Sequence, residues 1–278
     1  LGSTAAVTDE LGPDPYRRYY RVRSVPLGSH DADNRTLVVI TDTTERMRLD
    51  SMRRDFVANA SHELKTPTAG ILLLAESAGH AVEDGDLEQA IAFASSIHEE
   101  ATRLRQLVTD LLDLSRLESV PAQDAVTDVR QAVDLALIGH RGPAATRGLD
   151  LECDFEDVAG EDVVVHADPT DVAIALDNLL SNAIAYTEAG CVTVRLGADD
   201  TTVRIAVEDT GVGIPAADVE RVFERFYRVD RARTRTGGGT GLGLSLVRHV
   251  VERAAGSVAI ESAVGVGTAV TLTLPRAR

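Results

Sequence analysis

The sequence predicts two folded parts in one chain, an antiparallel helical hairpin followed by an α+β sandwich. Two stretches with apolar residues at helical spacing, from residue 45 to about 117, predict the hairpin. From residue 128 onward, short strand-like runs alternate with helical ones, which indicates one mixed sheet covered by helices on one face. The chain has 278 residues and is 44% hydrophobic, which is enough for the cores of both parts.

Composition limits the classes of partner. A formal net charge of −16 argues against a general nucleic-acid or anionic-membrane surface, so we expect no nucleic-acid partner. No window approaches the roughly 18 apolar residues of a membrane span, and no signal peptide is visible. The first residues resemble an arbitrary start within a longer protein. We therefore expect a cytoplasmic location, with any membrane anchor supplied by segments outside this chain.

The first 44 residues predict a small β element ahead of the hairpin. β-rich runs at 16–25 and 36–41 flank a turn-rich cluster at 27–34, and Asp42 begins a helix cap. The run ending in DTTER resembles the last two strands of a PAS sensor domain and its exit into a signalling helix. We assign 1–44 to the remnant of a sensor domain and the entry to that helix, with an ordinary hairpin as the alternative.

Residues 45–119 are assigned to the helical hairpin and 120–127 to a linker. The second helix carries apolar residues at alternating spacings of four and three, a coiled-coil seam. The seam consists of Ala90, Ala94, Ile97, Ala101, Leu104, Val108 and Leu111. Two helices alone cannot bury such a seam on both members. Pairing two hairpins makes a four-helix bundle, so we expect a homodimer.

The first helix contains the histidine with the most distinctive surroundings, His62 in the sequence SHELKTP. His62 lies beside the apolar face of the helix, so we expect its imidazole to reach solvent. A near-neutral imidazole is a usable nucleophile at pH 7, and the adjacent carboxylate of Glu63 can take its proton. An ordinary surface histidine is the alternative. Pro67 removes a backbone donor and is expected to interrupt and bend this helix.

Residues 128–278 are assigned to a second domain. The predicted helices span 128–138, 169–186 and 242–254, with a further short helix after residue 215. The predicted strands span 149–155, 162–166, 191–196, 202–208, 257–262 and 268–274.

Two motifs in this domain point to ligand chemistry. Asn178 and Asn182 stand four residues apart and share a helix face. Their neutral amide oxygens suit a hydrated Mg²⁺, although paired Asn can also cap or bridge. The loop Asp209-x-Gly211-x-Gly213 follows a strand, and its glycines allow close backbone approach. A fixed carboxylate there can accept from an exocyclic amine such as adenine N6.

Two more segments complete the pattern. The glycine-rich run at 237–244 opens a helix, whose bare amides make an anion site suited to a triphosphate, or only a hinge. The aromatic cluster at 222–228 precedes a stretch rich in Gly and Arg and is typical of the anchor of a mobile lid.

Taken together, SHELKTP, DNLLSNA, DTGVGIP, FERFYR and GGGTGLGL, in this order and spacing, resemble the transmitter of bacterial two-component sensor histidine kinases of the HisKA class. The resemblance runs from about residue 53 to 274. Its second domain is similar to the ATP-binding fold of the GHKL (Bergerat) type, shared with gyrase-type and Hsp90-type ATPases. The resemblance implies that His62 is the phosphoacceptor and Glu63 the base. It implies that Thr66 orients water for dephosphorylating a partner.

The same resemblance implies ATP and Mg²⁺ as ligands. According to the resemblance, Asn182 ligates Mg²⁺ and Asn178 assists at the phosphates. It also implies that Tyr186 packs on adenine and that Asp209 binds the N6 amine of adenine. The pocket residues that it implies are Gly211, Gly213, Gly241, Leu242 and Gly243.

One position departs from the family pattern, because Ala185 stands where members carry Lys or Arg. We expect Arg225 to supply the missing cation, with Arg228 and the lid arginines at 231, 233 and 235 as alternatives. The implied function is ATP-dependent phosphorylation of His62, transfer to an Asp of a response regulator, and dephosphorylation of that regulator. A degenerate kinase acting as a scaffold and a GHKL ATPase without kinase activity are the alternatives.

Overall fold

The computed structural model describes residues 7–11, 18–26, 36–120, 125–155, 158, 163–229 and 239–277. The chain divides into two compact units, Leu1–Lys65 and Thr66–Arg278, and the division falls inside the first long helix. The hairpin helices are α1, Thr44–Glu83, and α2, Leu87–Ser119.

The first unit contains a three-stranded antiparallel sheet in the order β1–β2–β3. Its strands are Val7–Leu11, Arg18–Pro26 and Thr36–Asp42. The predicted hairpin is confirmed as β2 and β3, whereas β1 was not expected. The start of α1 is tied to this sheet, because Thr43 N donates to Tyr19 O at 2.8 Å. Asp42 caps the helix as predicted, its Oδ1 accepting from Thr44 N at 2.8 Å.

Helix α1 runs through Pro67 without interruption, so the predicted break is wrong. A proline inside a helix removes one backbone donor, and the remaining ladder of α1 tolerates that loss. The Pro67 ring is buried. The turn to α2 uses Gly85 at φ 78°, and Asp86 Oδ1 caps α2 by accepting from Gln89 N at 3.0 Å.

The second domain is built on a five-stranded sheet in the order β5-β7-β8-β10-β9. Its strands are Asp150–Asp154, Cys191–Ala198, Thr202–Asp209, Gly267–Pro275 and Ser257–Ala263, in the same order. β5 and β7 are parallel, and the other neighbours are antiparallel. A separate two-stranded sheet pairs β4, Val126–Asp128, with β6, Val164–His166.

Three helices contribute to the core of this domain: α3, Val129–Thr146; α4, Pro169–Tyr186; and α5, Gly243–Arg253. Alternate strand residues are buried with the apolar faces of these helices. The fully buried members include Val192, Val194, Leu176, Leu180, Leu246, Val247 and Leu272. This arrangement confirms the predicted α+β sandwich.

The structure also corrects element boundaries. The helix predicted to end at 138 continues to Thr146 through Gly139, Gly142 and Pro143, because Leu137, His140 and Ala144 on this length are buried. The short helix expected after residue 215 is a single 3-10 turn, Arg221–Phe223. In the part of the chain that the structure describes, no helix has both the length and the apolar character needed to cross a membrane.

Candidate functional site

The candidate phosphoacceptor His62 lies on the exposed side of α1. Ala60 and Pro67 are buried and Leu64 is half-buried, so His62 stands beside the apolar face, as predicted. Glu63 is the next residue and is half-buried, and Thr66 is exposed one turn further along the helix. His62 and Glu63 belong to the first compact unit, and the nucleotide-type residues belong to the second.

In the second unit, the two asparagines of α4 meet the first residue of α5. Asn178 Nδ2 donates to Ile174 O at 2.8 Å, so the amide nitrogen is used within the helix. The Asn178 Oδ1 lies 2.7 Å from the position that a Cβ on Gly243 would take, and Asn182 Nδ2 lies 3.5 Å from it. Residue 243 must therefore be glycine for the two amides to sit against α5.

This amide pair fits a hydrated Mg²⁺ bound together with phosphate oxygens. Because the Asn178 nitrogen is already engaged, its carbonyl oxygen is the atom left to act as a ligand or to accept from bound water. Within the described residues, no group of three or more His, Cys, Asp and Glu side chains is arranged to hold a metal.

The loop after β8 places a carboxylate beside the end of α4. Asp209 Oδ1 accepts from Gly211 N at 2.8 Å, and burial raises the pKa of the Asp209 carboxyl. Val212 N donates to Tyr186 O at 3.2 Å, which fastens the loop to the last residue of α4. A Cβ on Gly211 would collide with that same Tyr186 carbonyl. The structure thus brings Asp209, Gly211 and Tyr186 together.

Two further contacts join this loop to the glycine-rich run and the closing hairpin. Gly213 has φ 69°, and a Cβ there would collide with the Ala263 carbonyl, so only glycine fits. The Tyr186 hydroxyl lies 3.7 Å from the Cβ position of Gly239. Tyr186 therefore contacts the Asp209 loop through its backbone carbonyl and approaches the glycine-rich run through its hydroxyl.

The residue just before α5 is inaccessible. Leu242 is fully buried, its backbone included, so it offers no exposed atom to a ligand in this structure. Leu242 N donates to Thr240 Oγ1 at 3.2 Å, and among the described residues no side chain caps α5 at Leu242. Gly241 has φ 74°, and its carbonyl accepts from Phe226 N at 2.8 Å. The glycine-rich run is thereby fixed to the aromatic segment.

The aromatic segment has the properties of an anchor. Phe223 and Phe226 are buried, and Phe226 holds a left-handed φ of 62°. The Arg248 guanidinium lies 4.6 Å from the centre of the Phe223 ring, a cation–π contact with α5. Arg225 pairs with Glu118 of α2, a partner that the sequence did not suggest. The lid arginines at 231, 233 and 235 lie outside the described residues.

Sequence reasoning missed a set of contacts between α2 and the second domain. The Thr240 hydroxyl donates to Asp110 of α2, and Asp171 at the start of α4 pairs with Arg116 of α2 and Arg253 of α5. Burial raises the pKa of Asp110 above its ordinary value. One signal was available, because Asp110 is a charged residue at a core spacing between Leu107 and Leu114.

Comparison with known proteins identifies family models that match both parts of the chain. Residues 52–120 match the model of the His Kinase A (phospho-acceptor) domain. Residues 167–278 match the model of the histidine kinase-, DNA gyrase B- and HSP90-like ATPase.

Curated proteins of similar sequence are named as sensor histidine kinases. The sensor-like histidine kinase SenX3 of Mycobacterium tuberculosis is 40% identical over 249 residues, which is 88% of this chain and 59% of SenX3. The sensor histidine kinase WalK of Bacillus subtilis is 38% identical over 256 residues, 91% of this chain and 41% of WalK. The chain thus spans only about half the length of these relatives.

Solved structures share the fold. The histidine kinase ThkA in complex with the response regulator protein TrrA matches with a TM-score of 0.65 at 19% identity, over 99% of this chain and 79% of that one. The Acinetobacter baumannii histidine kinase AdeS matches with a TM-score of 0.59 at 23% identity, over 78% of this chain and 98% of that one. With both domains in order and the motif residues in place, the chain belongs to the two-component sensor histidine kinases.

Proposed function

We propose that the chain is an ATP-dependent protein-histidine kinase that phosphorylates itself on His62. The observation that carries this proposal is the assembled second-unit site, in which Asn178 and Asn182 meet Gly243 while Tyr186 lies beside the Asp209 loop. An exposed His62 next to Glu63 on a HisKA helix supplies the acceptor.

The proposed reaction is an in-line phosphoryl transfer. Asp209 accepts from the adenine amine, and Tyr186 packs on the base. An imidazole nitrogen of His62 attacks the γ-phosphorus of ATP, the bond from the γ-phosphorus to the β,γ-bridging oxygen breaks, and ADP leaves. Glu63 receives the imidazole proton. Catalysis of this kind depends mainly on positioning and charge stabilisation.

The amide oxygens of Asn182 and Asn178 would hold Mg²⁺, which neutralises phosphate charge when bound. Arg225 is the proposed additional cation, in place of the basic residue that Ala185 lacks. Because the Arg225 side chain pairs with Glu118, it must exchange that carboxylate for phosphate in order to act.

We further propose that the phosphoryl group passes from His62 to an Asp of a response regulator, and that Thr66 orients water for dephosphorylating that regulator. The complex of ThkA with TrrA supports a partner of this class. The chain is proposed to act in the cytoplasm as a homodimer. We favour a kinase over a binding-only scaffold. Among the described residues that the family pattern assigns to ATP binding, the departure is at Ala185.

Transfer of label from γ-labelled ATP tests the proposal. Wild-type protein should acquire acid-labile, base-stable label, and His62→Ala should lose it while still binding ATP. His80→Ala is the matched control, since His80 is an exposed histidine on the same helix, where it pairs with Glu83. Comparable label in His62→Ala would refute the assignment, and a wild type that binds ATP without label would favour the scaffold.

A further inference from the structure

A buried carboxylate of α2 lies beside the glycine-rich run before α5, whose amides the sequence predicts to bind a triphosphate. Asp110 is 3% exposed. One carboxylate oxygen accepts from Gln106 Nε2 at 2.8 Å, and the other accepts from the Thr240 hydroxyl. Thr240 in turn accepts from Leu242 N at 3.2 Å. A carboxylate of the protein itself is therefore connected, through one hydroxyl, to the amide of Leu242, the residue just before α5.

A second carboxylate of α2 engages the cation proposed for the triphosphate. Glu118 pairs with Arg225, with side chains 42% and 34% exposed. A guanidinium binds carboxylate and phosphate through the same planar set of N–H donors. While Glu118 is paired in this way, fewer of those donors are available to phosphate.

The segment between these two carboxylates is firmly packed, so the contacts are not those of a loose surface helix. Leu114 and Leu117, which lie between the two carboxylates on α2, are both buried. Arg253 Nη1 of α5 donates to Leu117 O at 2.7 Å, and its Nε donates to Asp171 at 3.1 Å. This packing fixes the part of α2 that carries the two carboxylates.

We propose that the C-terminal half of α2 is an electrostatic antagonist of triphosphate binding. Asp110 places a carboxylate against Thr240, just before α5, and Glu118 places one against Arg225. A nucleoside triphosphate must compete with these two negative charges. Because coupling between two binding events is reciprocal, ATP in turn weakens the packing of this half of α2. Binding of the nucleotide thereby weakens the packing of the second domain against α2. This inference rests on the proposed ATP site.

The test compares two ligands that share the base and sugar but differ in phosphate charge, adenosine and AMP-PNP with Mg²⁺, by calorimetric titration. Asp110→Asn and Glu118→Gln each remove one negative charge with little change in size. Each should tighten AMP-PNP binding by about fivefold or more and leave adenosine binding unchanged. Glu99→Gln is the matched control, since it removes one charge from the exposed N-terminal half of α2; AMP-PNP affinity should not change.

Hydrogen exchange of the wild-type protein gives a second measurement that needs no variant. Amides of residues 107–118 should exchange faster on addition of AMP-PNP than on addition of adenosine. If AMP-PNP affinity is unchanged or weaker in both variants, or if exchange slows, the antagonism is refuted while an active kinase still stands. A wild type that binds no AMP-PNP would refute both this inference and the proposed function.

Discussion

At the scale of single residues, the nucleotide site depends on glycines whose missing Cβ lets polar groups approach the backbone. Gly213 and Gly241 combine positive φ values with crowded Cβ positions, whereas Gly243 is needed for space alone. The sequence identified the glycines, but it could not distinguish these two reasons. The distinction matters because a steric requirement can be tested by adding a single methyl group.

We expect Gly243→Ala to weaken ATP binding. The new Cβ would lie 2.7 Å from Asn178 Oδ1, so the amide must move away from its place at the site. Overpacking of this kind costs about 1–3 kcal/mol, and we expect roughly tenfold weaker binding. Titration with AMP-PNP measures the effect.

The matched control is Gly142→Ala in α3, where a Cβ meets nothing within 4 Å. That change should leave AMP-PNP affinity unaltered and raise the free energy of unfolding by about 0.4–1 kcal/mol through lower unfolded-state entropy. Equal affinities for Gly243→Ala and the wild type would contradict the close contact between α4 and α5.

At the scale of elements, α2 has two different apolar surfaces. One packs against the second domain through Leu107, Leu114 and Leu117, which are buried. The other carries the seam, in which Val108 is 41% exposed in the single chain. The helical period predicted that α2 would be amphipathic, but it did not separate these two surfaces, because they overlap along the same helix.

The contact of α2 with the second domain is centred on one buried carboxylate, so we expect Asp171→Ala to destabilise the protein strongly. The Asp171 side chain is 6% exposed and pairs with Arg253, itself 15% exposed, and with Arg116. Removing one partner of a buried pair leaves uncompensated charge and costs about 3–5 kcal/mol. Urea unfolding followed by circular dichroism measures this change.

The control for this prediction is Asp134→Ala, which removes an exposed carboxylate from α3. Surface changes of that kind usually alter the free energy of unfolding by less than about 0.5 kcal/mol. A loss for Asp171→Ala no larger than that of Asp134→Ala would show that the ion pairs contribute little to stability.

At the scale of the whole molecule, the helical hairpin leaves a large apolar surface uncovered. On the described part of α1 and α2, side chains more than 60% exposed include Leu72, Leu73, Leu87, Ile91 and Leu112. Burying one leucine contributes about 1.5–3 kcal/mol, so an uncovered surface of this size favours association. This supports the proposed homodimer through a four-helix bundle.

We expect Val108→Glu to convert a dimer into monomers. The change places a charge in the seam at a position that is open in the single chain, so the fold of each chain should persist. Light scattering at micromolar concentration measures the mass, and Thr102→Glu, an exposed position outside the seam, is the control. A monomeric wild type, or a dimeric Val108→Glu, would refute the bundle.

The sequence by itself predicted the order of the elements except β1 and β4, and it predicted which neighbouring polar residues and glycines would stand together. Short-range sequence patterns suffice for such predictions. Asn178 and Asn182 share a face because they are four residues apart on one helix, and Asp209 lies at the end of a strand directly before the glycines of its loop. The predicted bounds of α4, 169–186, match the structure, in which Asp168 Oδ1 caps the start by accepting from Thr170 N at 2.7 Å. The exposure of His62 also followed from its place beside an apolar helix face.

Only the tertiary structure decided which distant groups meet. Asp110 and Thr240 are 130 residues apart, and Glu118 and Arg225 are 107 apart. No local period carries information over such separations. The same limit explains the errors at α3 and Pro67, where glycine or proline suggested an end to the helix and tertiary burial of neighbouring side chains outweighed that local preference.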